Sequence, residues 1–297
     1  MKPIHWFILI VLASISGSSF IFTRTLAPVL GPIVTADLRV LIAGLALVIY
    51  ALIIGYSFEW HKNWKLYCII GIINSGIPFL LYSYAALYLP SSYMAIVNSS
   101  APLFGAMFSA IWLFERLSFV KILGLSLGIA GVGMVSYSGS TGAVSDMFGI
   151  GIGASIVAAM MYALSGIFIK RYAKDIKPLA LAGGSQLAAG LAILPFCILD
   201  PVTINVNLIT PVIVFNMAAL ALLCSAIAYI LYFRLINEVG PTKTLTVTFL
   251  SPFFAMLVGG LFLNEIITPQ MLTGCITIIF ATVLVNGLWV PRMLVSK

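Results

Sequence analysis

Ten long apolar stretches dominate the sequence and restrict its fold more than any other feature. Of the 297 residues, 62% are hydrophobic and 8% are charged, whereas a soluble domain usually carries roughly 25% charged side chains. A helix that crosses a bilayer needs about 20 mostly apolar residues. The stretches, numbered here as segments one to ten, are residues 4–24, 32–55, 65–87, 91–114, 119–137, 148–170, 178–199, 210–235, 241–263 and 269–290. They predict an all-α polytopic membrane protein with ten transmembrane helices. The short connections leave no room for a soluble catalytic or nucleic-acid-binding domain.

The sequence also contains an internal repeat. A shift of 150 residues superposes, without a gap, Tyr82 on Tyr232, Val97 on Val247, Pro102 on Pro252 and Glu115 on Glu265. This match predicts two homologous halves, residues 1–142 and 143–297. Because each half holds five segments, an odd number, the second half must enter the membrane in the opposite orientation. The prediction is therefore two inverted five-helix repeats.

The basic residues predict the orientation of the chain. Of the 15 lysines and arginines, all but Arg24 and Arg39 fall on the N-terminal side of the predicted membrane. Cytoplasmic loops of membrane proteins carry an excess of basic residues, so we predict an inner-membrane protein with both termini in the cytoplasm. The net charge of +7 is then explained by orientation rather than by an acidic partner. The apolar N-terminal stretch is interpreted as an uncleaved first helix.

Helix-breaking residues indicate where a path through the membrane would lie. Irregular backbone at mid-depth is tolerated only where protein or an aqueous cavity surrounds it. Pro102 and Pro252 fall near the middle of segments four and nine, at equivalent positions of the repeat. Segment three adds the run Asn74-Ser75-Gly76-Ile77-Pro78. We therefore predict discontinuous helices around a substrate cavity, and the alternative is a proline kink that serves packing alone.

Helical spacing sorts the polar side chains onto faces that would line this cavity. The predicted lining residues are Asn74, Ser75, Pro78 and Tyr82 of segment three, Asn98 and Pro102 of segment four, Tyr162 of segment six, Ser225, Tyr229 and Tyr232 of segment eight, and Thr248 and Pro252 of segment nine. An interfacial aromatic belt is the alternative for the tyrosines. Gly105, Ser109, Ala255 and Gly259 share these faces, and we expect them to serve helix contact.

Few charged residues fall inside the segments. Arg24, Asp37 and Arg39 cluster near the extracytoplasmic ends of segments one and two, where Asp37 and Arg39 are predicted to pair. For this group, a gate on one side and a structural ion pair or snorkelling on the other remain equal alternatives. Glu115 and Glu265 end segments four and nine on opposite sides of the membrane, and we favour a bracing role for them over ion coupling.

Chemical motifs are sparse. The two histidines, His5 and His61, lie at or outside the membrane edge, and the four cysteines are spread over separate segments. This spacing predicts no metal site and no cofactor, and the cysteines are interpreted as packing residues. The chain has no phosphate-binding GxxxxGK[ST] loop, so it does not hydrolyse ATP by that route.

The motif residues resemble the EamA-type ten-helix exporters of the drug/metabolite transporter superfamily. The resemblance rests on Gly17-Ser18 and Phe20 in segment one, on Arg39 followed by small and aliphatic residues in segment two, and on the stretches from Pro102 to Glu115 and from Pro252 to Glu265. It implies two bundles around a central cavity, alternating access, and export of amino acids or other small amphipathic metabolites. It also adds Ser18 to the predicted cavity.

Several functions remain open at this point. A drug or nucleoside-type carrier or an exchanger is the alternative to an amino-acid exporter. An intramembrane enzyme is less favoured because neither an HExxH metal site nor a serine with a histidine base is visible. An ion channel is disfavoured because no filter sequence is evident. The expected partners are a small-molecule substrate and the lipid bilayer, and the sequence does not decide between monomer and homodimer.

Overall fold

The structure is a computed structural model that describes residues 2–112, 114, 118–140, 147–199, 206–239, 244 and 246–285. Within these ranges, eight helical stretches are long and apolar enough to cross a membrane, and two shorter apolar helices follow them. Segments one, two, five, six, seven, nine and ten are the helices Pro3–Leu30, Pro32–Ile53, Phe119–Ser140, Met147–Tyr172, Pro178–Leu199, Thr246–Leu263 and Pro269–Val285.

Segments three, four and eight are interrupted helices. Segment three consists of Trp60–Gly71, a π-helical stretch Ile72–Gly76, and Ile77–Ala85. Segment four consists of Ser91–Asn98 and Ala101–Trp112, and segment eight of Pro211–Ala218, a π-helical stretch Ala219–Ile227, and Ala228–Val239. A single 3₁₀ turn, Val206–Leu208, precedes segment eight. The interruptions concentrate in the segments for which the sequence predicted the substrate path.

Segment one extends six residues beyond its predicted end. Its helix continues through Arg24 to Leu30 and stops at Gly31, whose φ of 81° is readily adopted only by glycine. Pro32 then opens segment two at the first helical position, where its missing N–H has no consequence. Arg24 therefore lies inside the helix rather than at its end.

The two halves of the chain interleave. The most extensive helix contacts pair segment five with ten, two with seven, one with nine, three with six and seven, four with six, and two with eight. All of these contacts join a segment of the first half to a segment of the second. Segments one and eight are also in contact. If every segment is replaced by its equivalent in the other half, one by six, two by seven and so on, the same set of contacts results.

Glycines allow segments two and seven to approach closely. A Cβ atom on Gly44 would lie 2.4 Å from the backbone nitrogen of Leu187, and one on Gly190 would lie 2.9 Å from the Cα of Leu41. In this upstream part of the two halves, a shift of 146 residues superposes Gly44 on Gly190 and Leu41 on Leu187. Each glycine therefore contacts the residue equivalent to the one that the other glycine contacts. Small residues at such crossings allow van der Waals packing between backbones in a membrane.

The two glycines that the sequence assigned to helix contact differ in their surroundings. A Cβ on Gly105 would have no atom within 4 Å, so the prediction for Gly105 is wrong. A Cβ on Gly259 would lie 2.7 Å from a carboxylate oxygen of Glu265. The same Cβ would lie 3.0 Å from Ser91 Oγ in the first helix of segment four. Gly259 therefore makes room both for the following loop and for segment four, as the prediction of a helix contact requires.

Candidate functional site

Polar side chains from four segments meet inside the apolar bundle. We call Arg39, Asn74, Ser165, Ser225 and Tyr229 the central polar cluster. Asn74 Nδ2 donates a hydrogen bond to Tyr229 Oη at 3.0 Å, and Ser165 Oγ donates to Asn74 Oδ1 at 2.7 Å. These bonds join segments three, six and eight. Buried polar groups are stable only when they are hydrogen-bonded, so each member depends on its neighbours.

Arg39 of segment two completes the cluster. Its Nε donates to Ser225 Oγ at 3.0 Å, and its guanidinium carbon lies 3.7 Å from the ring centroid of Phe79. Ser225 Oγ in turn donates to the carbonyl oxygen of Leu220, five residues earlier in the π-helical stretch. The guanidinium is within electrostatic range of Tyr162 and Tyr229. The side chain is 8% exposed, so a permanent charge is held within the bundle.

Asp37 does not pair with Arg39, and that prediction is wrong. The structure has no ion pair between these two described residues, because positions i and i+2 of a helix point to different sides. The Asp37 side chain is buried, and its Oδ1 has no hydrogen-bond partner among the residues that the structure describes. The Cys197 side chain of segment seven hydrogen-bonds with the carboxyl group. Cys197 therefore has a polar contact in addition to the packing role predicted for it.

An aromatic group lies beside the central polar cluster. Tyr82 Oη donates to Asn98 Oδ1 at 2.8 Å, which brings together two predicted cavity residues of segments three and four. The Tyr82 ring stacks on Tyr162 with centroids 6.1 Å apart, and Phe20 packs edge-on against Tyr82 at 5.2 Å. Phe79, beneath Arg39, contacts Tyr162 at 6.1 Å. Tyr162 thus connects the aromatic group to the charged cluster.

Segment four is discontinuous, as Pro102 predicted. Its first helix ends at Asn98, two turn residues follow, and Pro102 is the second residue of the next helix. Segment nine differs, because Pro252 lies inside the continuous helix Thr246–Leu263. The prediction of a matching break at Pro252 is therefore wrong. The helix packs against segment one.

The sequence predicted irregular backbone at the run 74–78 of segment three, where the π-helical stretch Ile72–Gly76 lies, but it did not predict the π-helical stretch Ala219–Ile227 of segment eight. They occupy equivalent positions, because a shift of 150 residues places Ile72–Gly76 inside Ala219–Ile227. Such bulges occur frequently at functional sites. They contain Asn74, Ser75 and Ser225, and Pro78 is the second residue of the helix that follows the first stretch.

The remaining predicted cavity residues lie in segments one, three, eight and nine. Ser18 is half-buried in segment one and makes no hydrogen bond to another described residue. Thr248 is half-buried and Pro252 is buried in segment nine. Tyr232 lies one turn beyond Tyr229, with which it interacts electrostatically. Ser75 is buried beside Asn74, whose Nδ2 lies 3.4 Å from Ser75 Oγ.

The charged residues at the segment ends make separate contacts. Arg24 Nη1 donates to the carbonyl oxygen of Ala86, just beyond the helix of segment three. Glu265 accepts hydrogen bonds from the backbone of Ser91 and Ser92 at the start of segment four. Glu115, predicted to play the equivalent role, lies outside the described residues. Four predicted gate or bracing residues, Arg24, Asp37, Arg39 and Glu265, thus contact elements other than their own helix.

One surface contact links the start of segment one to the end of segment eight. Glu238 Oε1 accepts from Arg234 Nε at 2.9 Å, and Glu238 Oε2 lies 3.2 Å from Nε2 of His5. The hydrogen bond from Arg234 lowers the pKa of the Glu238 carboxyl group.

Sequence reasoning missed four residues of this region. Ser165 follows Tyr162 by one helical turn, a spacing that could have identified it. Phe79 and Phe20 were not selected because aromatic residues are common in apolar segments. Gln186 is fully buried in segment seven, and neither its Oε1 nor its Nε2 has a hydrogen-bond partner in the structure. The sequence signal that could have identified Gln186 is a single amide residue within an apolar segment.

Long apolar helices that enclose a hydrogen-bonded polar centre define a polytopic membrane protein. In the described part of the chain, no group of three or more His, Cys, Asp or Glu side chains is arranged to hold a metal ion. The chain belongs to the EamA-like transporter family, which it matches twice, at residues 4–137 and 149–287. The resemblance inferred from the sequence is thereby confirmed.

Known relatives extend over most of the chain. It is 26% identical over 255 residues to the uncharacterized transporter YvbV of Bacillus subtilis, covering 86% of this chain and 82% of that protein. It is 21% identical over 249 residues to a probable terminal-alkyne amino-acid exporter of Streptantibioticus cattleyicolor, covering 84% of this chain and 82% of that protein. A crystal structure superposes with a TM-score of 0.66 and 19% identity over 96% of both chains, a similarity of fold.

Proposed function

We propose that the protein exports small amphipathic metabolites, with amino acids as the favoured class, through a path lined by the central polar cluster. The observation that carries this proposal is the hydrogen bond between Asn74 and Tyr229, which joins polar groups of the two halves inside an apolar bundle. Polar residues in a membrane core are expensive and usually mark substrate paths. Membership of a transporter family supports the same interpretation.

The proposed architecture is ten membrane crossings formed by two inverted repeats, residues 1–142 and 143–297. Two family matches within one chain support the duplication. The exchange symmetry of the segment contacts supports a twofold relationship between the halves. The distribution of basic residues favours an inner-membrane protein with cytoplasmic termini.

The interrupted segments are the proposed moving parts. The break after Asn98 and the π-helical stretches replace regular helical hydrogen bonds where the central polar cluster and the Tyr82–Asn98 pair lie. Helices interrupted in this way can change direction at smaller energetic cost than continuous ones. Alternating access would then proceed by rocking of the two halves about these points.

Amino acids are favoured because one relative carries the name of an amino-acid exporter. Aromatic and hydroxyl groups around Tyr82, Tyr162 and Tyr229 suit a substrate with both apolar and polar parts. A drug or nucleoside-type carrier or an exchanger is the second candidate, because stacking aromatic rings also accept flat heterocycles.

The test is transport by the purified protein in liposomes. We expect uptake of at least one radiolabelled compound from a panel of amino acids, nucleosides and cationic drugs, and imposed pH gradients will identify proton coupling. Asn74→Ala should lower the rate because it leaves Tyr229 and Ser165 without their partner. Asn216→Ala is the matched control, since Asn216 bonds to Thr25 away from the cluster.

Four results would contradict parts of the proposal. Absence of flux for the entire panel would refute the substrate assignment, and chemically altered lipid or single-channel currents would indicate an enzyme or a channel instead. Equal rates for Asn74→Ala and Asn216→Ala would move the path away from the central polar cluster.

A further inference from the structure

Arg39 carries a charge that the protein only partly satisfies. A guanidinium has five N–H donors. The Nε donor is used by Ser225, and one face of the group is covered by Phe79. The two terminal nitrogens donate to no acceptor among the residues that the structure describes. Four donors on the outer edge of the guanidinium therefore remain for another partner.

None of the described carboxylates neutralises this charge. Asp37 is two positions away on the same helix and lies beside Cys197. The others are engaged elsewhere or lie in a loop: Glu59 with Lys62, Glu238 with Arg234 and His5, Glu265 with Ser91 and Ser92, and Asp175 after segment six. An arginine in the membrane interior is expensive unless an anion pairs with it. This arrangement favours an anion that is supplied from outside the chain.

The surroundings of Arg39 define what kind of anion fits. The terminal edge of a guanidinium matches the two oxygens of a carboxylate, with two parallel hydrogen bonds. The nearby side chains are the flat rings of Phe79 and Tyr162 together with the phenol of Tyr229. Such walls suit an apolar or aromatic body attached to the anionic group.

We propose that Arg39 binds the carboxylate of the transported compound, so that the substrates are small organic acids, including zwitterionic amino acids. Neutral and purely cationic analogues would then be excluded. This inference rests on the proposed function, because it places the substrate in the central polar cluster. The alternative is that Arg39 only holds segment two against segments three and eight. In that case the N–H donors of its two terminal nitrogens stay unsatisfied.

The test compares acids with the matching amides, which lack the carboxylate. The full-length protein in detergent would be heated with phenylalanine or phenylalaninamide, with phenylacetate or phenylacetamide, and with chloride or phosphate at equal ionic strength. We expect the two acids to raise the unfolding temperature in a concentration-dependent way, and the amides and inorganic anions to have little effect. Ligands that bind only the native state stabilise it by mass action.

Variants of Arg39 link the effect to this residue. Arg39→Gln should weaken binding of the acids roughly ten- to a hundredfold, as expected for loss of a charge-assisted hydrogen bond, and should abolish the preference for acid over amide. Arg39→Lys should keep the preference with weaker binding, because lysine retains the charge without the planar fork. Arg171→Gln removes an arginine that contacts the carbonyl of Trp112 near the end of segment six, and it should match the wild type.

The wild-type comparison decides the proposal even if Arg39→Gln does not fold. Equal stabilisation by acid and amide, stabilisation by neither, or equal stabilisation by chloride or phosphate would each overturn it. Unchanged acid preference in Arg39→Gln would overturn it as well. Acid-selective binding without flux in liposomes would instead contradict the proposed transport function and leave the anion site standing.

Discussion

The carboxylate of Glu265 accepts the backbone N–H of Ser91 at 2.6 Å and so joins the end of segment nine to the start of segment four. The same carboxylate accepts from the backbone N–H of Ser92 at 3.0 Å and from the Ser92 hydroxyl. The first N–H groups of a helix have no partner within the helix and form its positive end. Glu265 therefore satisfies the start of a helix in the opposite half of the chain.

Replacement of Glu265 by glutamine should destabilise the protein. Glutamine retains one acceptor oxygen but loses the charge and the second oxygen, so at least one N–H at the start of segment four loses its partner. We expect a loss of about 1–3 kcal/mol in the free energy of unfolding. Chemical unfolding of the purified protein in detergent measures this change.

Glu59→Gln is the matched control for this variant. Glu59 pairs with Lys62 at 3.8 Å, and both side chains are largely exposed. Exposed ion pairs contribute little, so this variant should stay close to the wild type. Equal stability of Glu265→Gln and Glu59→Gln would show that the carboxylate charge is not needed at the start of segment four.

The Tyr82–Asn98 hydrogen bond should couple segments three and four during transport. Tyr82→Phe preserves the stacking on Tyr162 but leaves Asn98 Oδ1 without its donor, and Asn98→Ala removes the acceptor. We expect each variant to reduce the transport rate several-fold and the double variant to be little worse than either. Such non-additivity is typical of residues in direct contact.

Tyr84→Phe is the control for this cycle, since Tyr84 packs against Tyr88 at 5.4 Å, outside the aromatic group around Tyr82. Its transport rate should remain at the wild-type value. Strictly additive losses in the double variant would mean that the two residues act independently, which contradicts a coupling role.

The sequence was most informative where its pattern is set by the bilayer. Apolar runs and the repeat located the helices to within a few residues, because each run must span the hydrocarbon core. The end of segment one was predicted too early, since Arg24 suggested a membrane edge. In the structure a backbone carbonyl at Ala86 accepts from Arg24, so the charge is accommodated inside the helix. Such a partner cannot be inferred from one segment alone.

The sequence indicated which polar residues belong to the candidate site, but not which of them bond to each other. Asn74, Tyr82, Asn98, Ser225 and Tyr229 were selected as polar residues at helical spacing, and direct hydrogen bonds involve all of them. Their partners could not be predicted, because side chains 91 or 186 residues apart meet only through the packing of the two halves.

The close crossing of segments two and seven should not tolerate a methyl group. Gly44→Ala would place a Cβ 2.4 Å from the Leu187 backbone nitrogen, so the two helices must separate. Over-packing of this kind typically costs about 1–3 kcal/mol, which thermal unfolding in detergent will detect. Gly153→Ala is the control, because its Cβ meets nothing within 4 Å and alanine favours the helix.

A loss of stability in Gly153→Ala equal to that in Gly44→Ala would rule out helix crowding as the cause. Unchanged stability in Gly44→Ala would show that segments two and seven can separate without penalty.

Gln186 should lower the stability of the resting protein. Its side chain is fully buried, and both polar atoms lack a partner in the structure. An unsatisfied buried polar group typically costs about 1–3 kcal/mol. Gln186→Met keeps the length of the side chain and removes both polar atoms, so the unfolding temperature should rise. Gln270→Met, at an exposed position of segment ten, should bring no such gain.

A fall in the unfolding temperature of Gln186→Met would mean that the amide binds a partner in the membrane-embedded protein. A parallel loss of transport would place that partner on the substrate path.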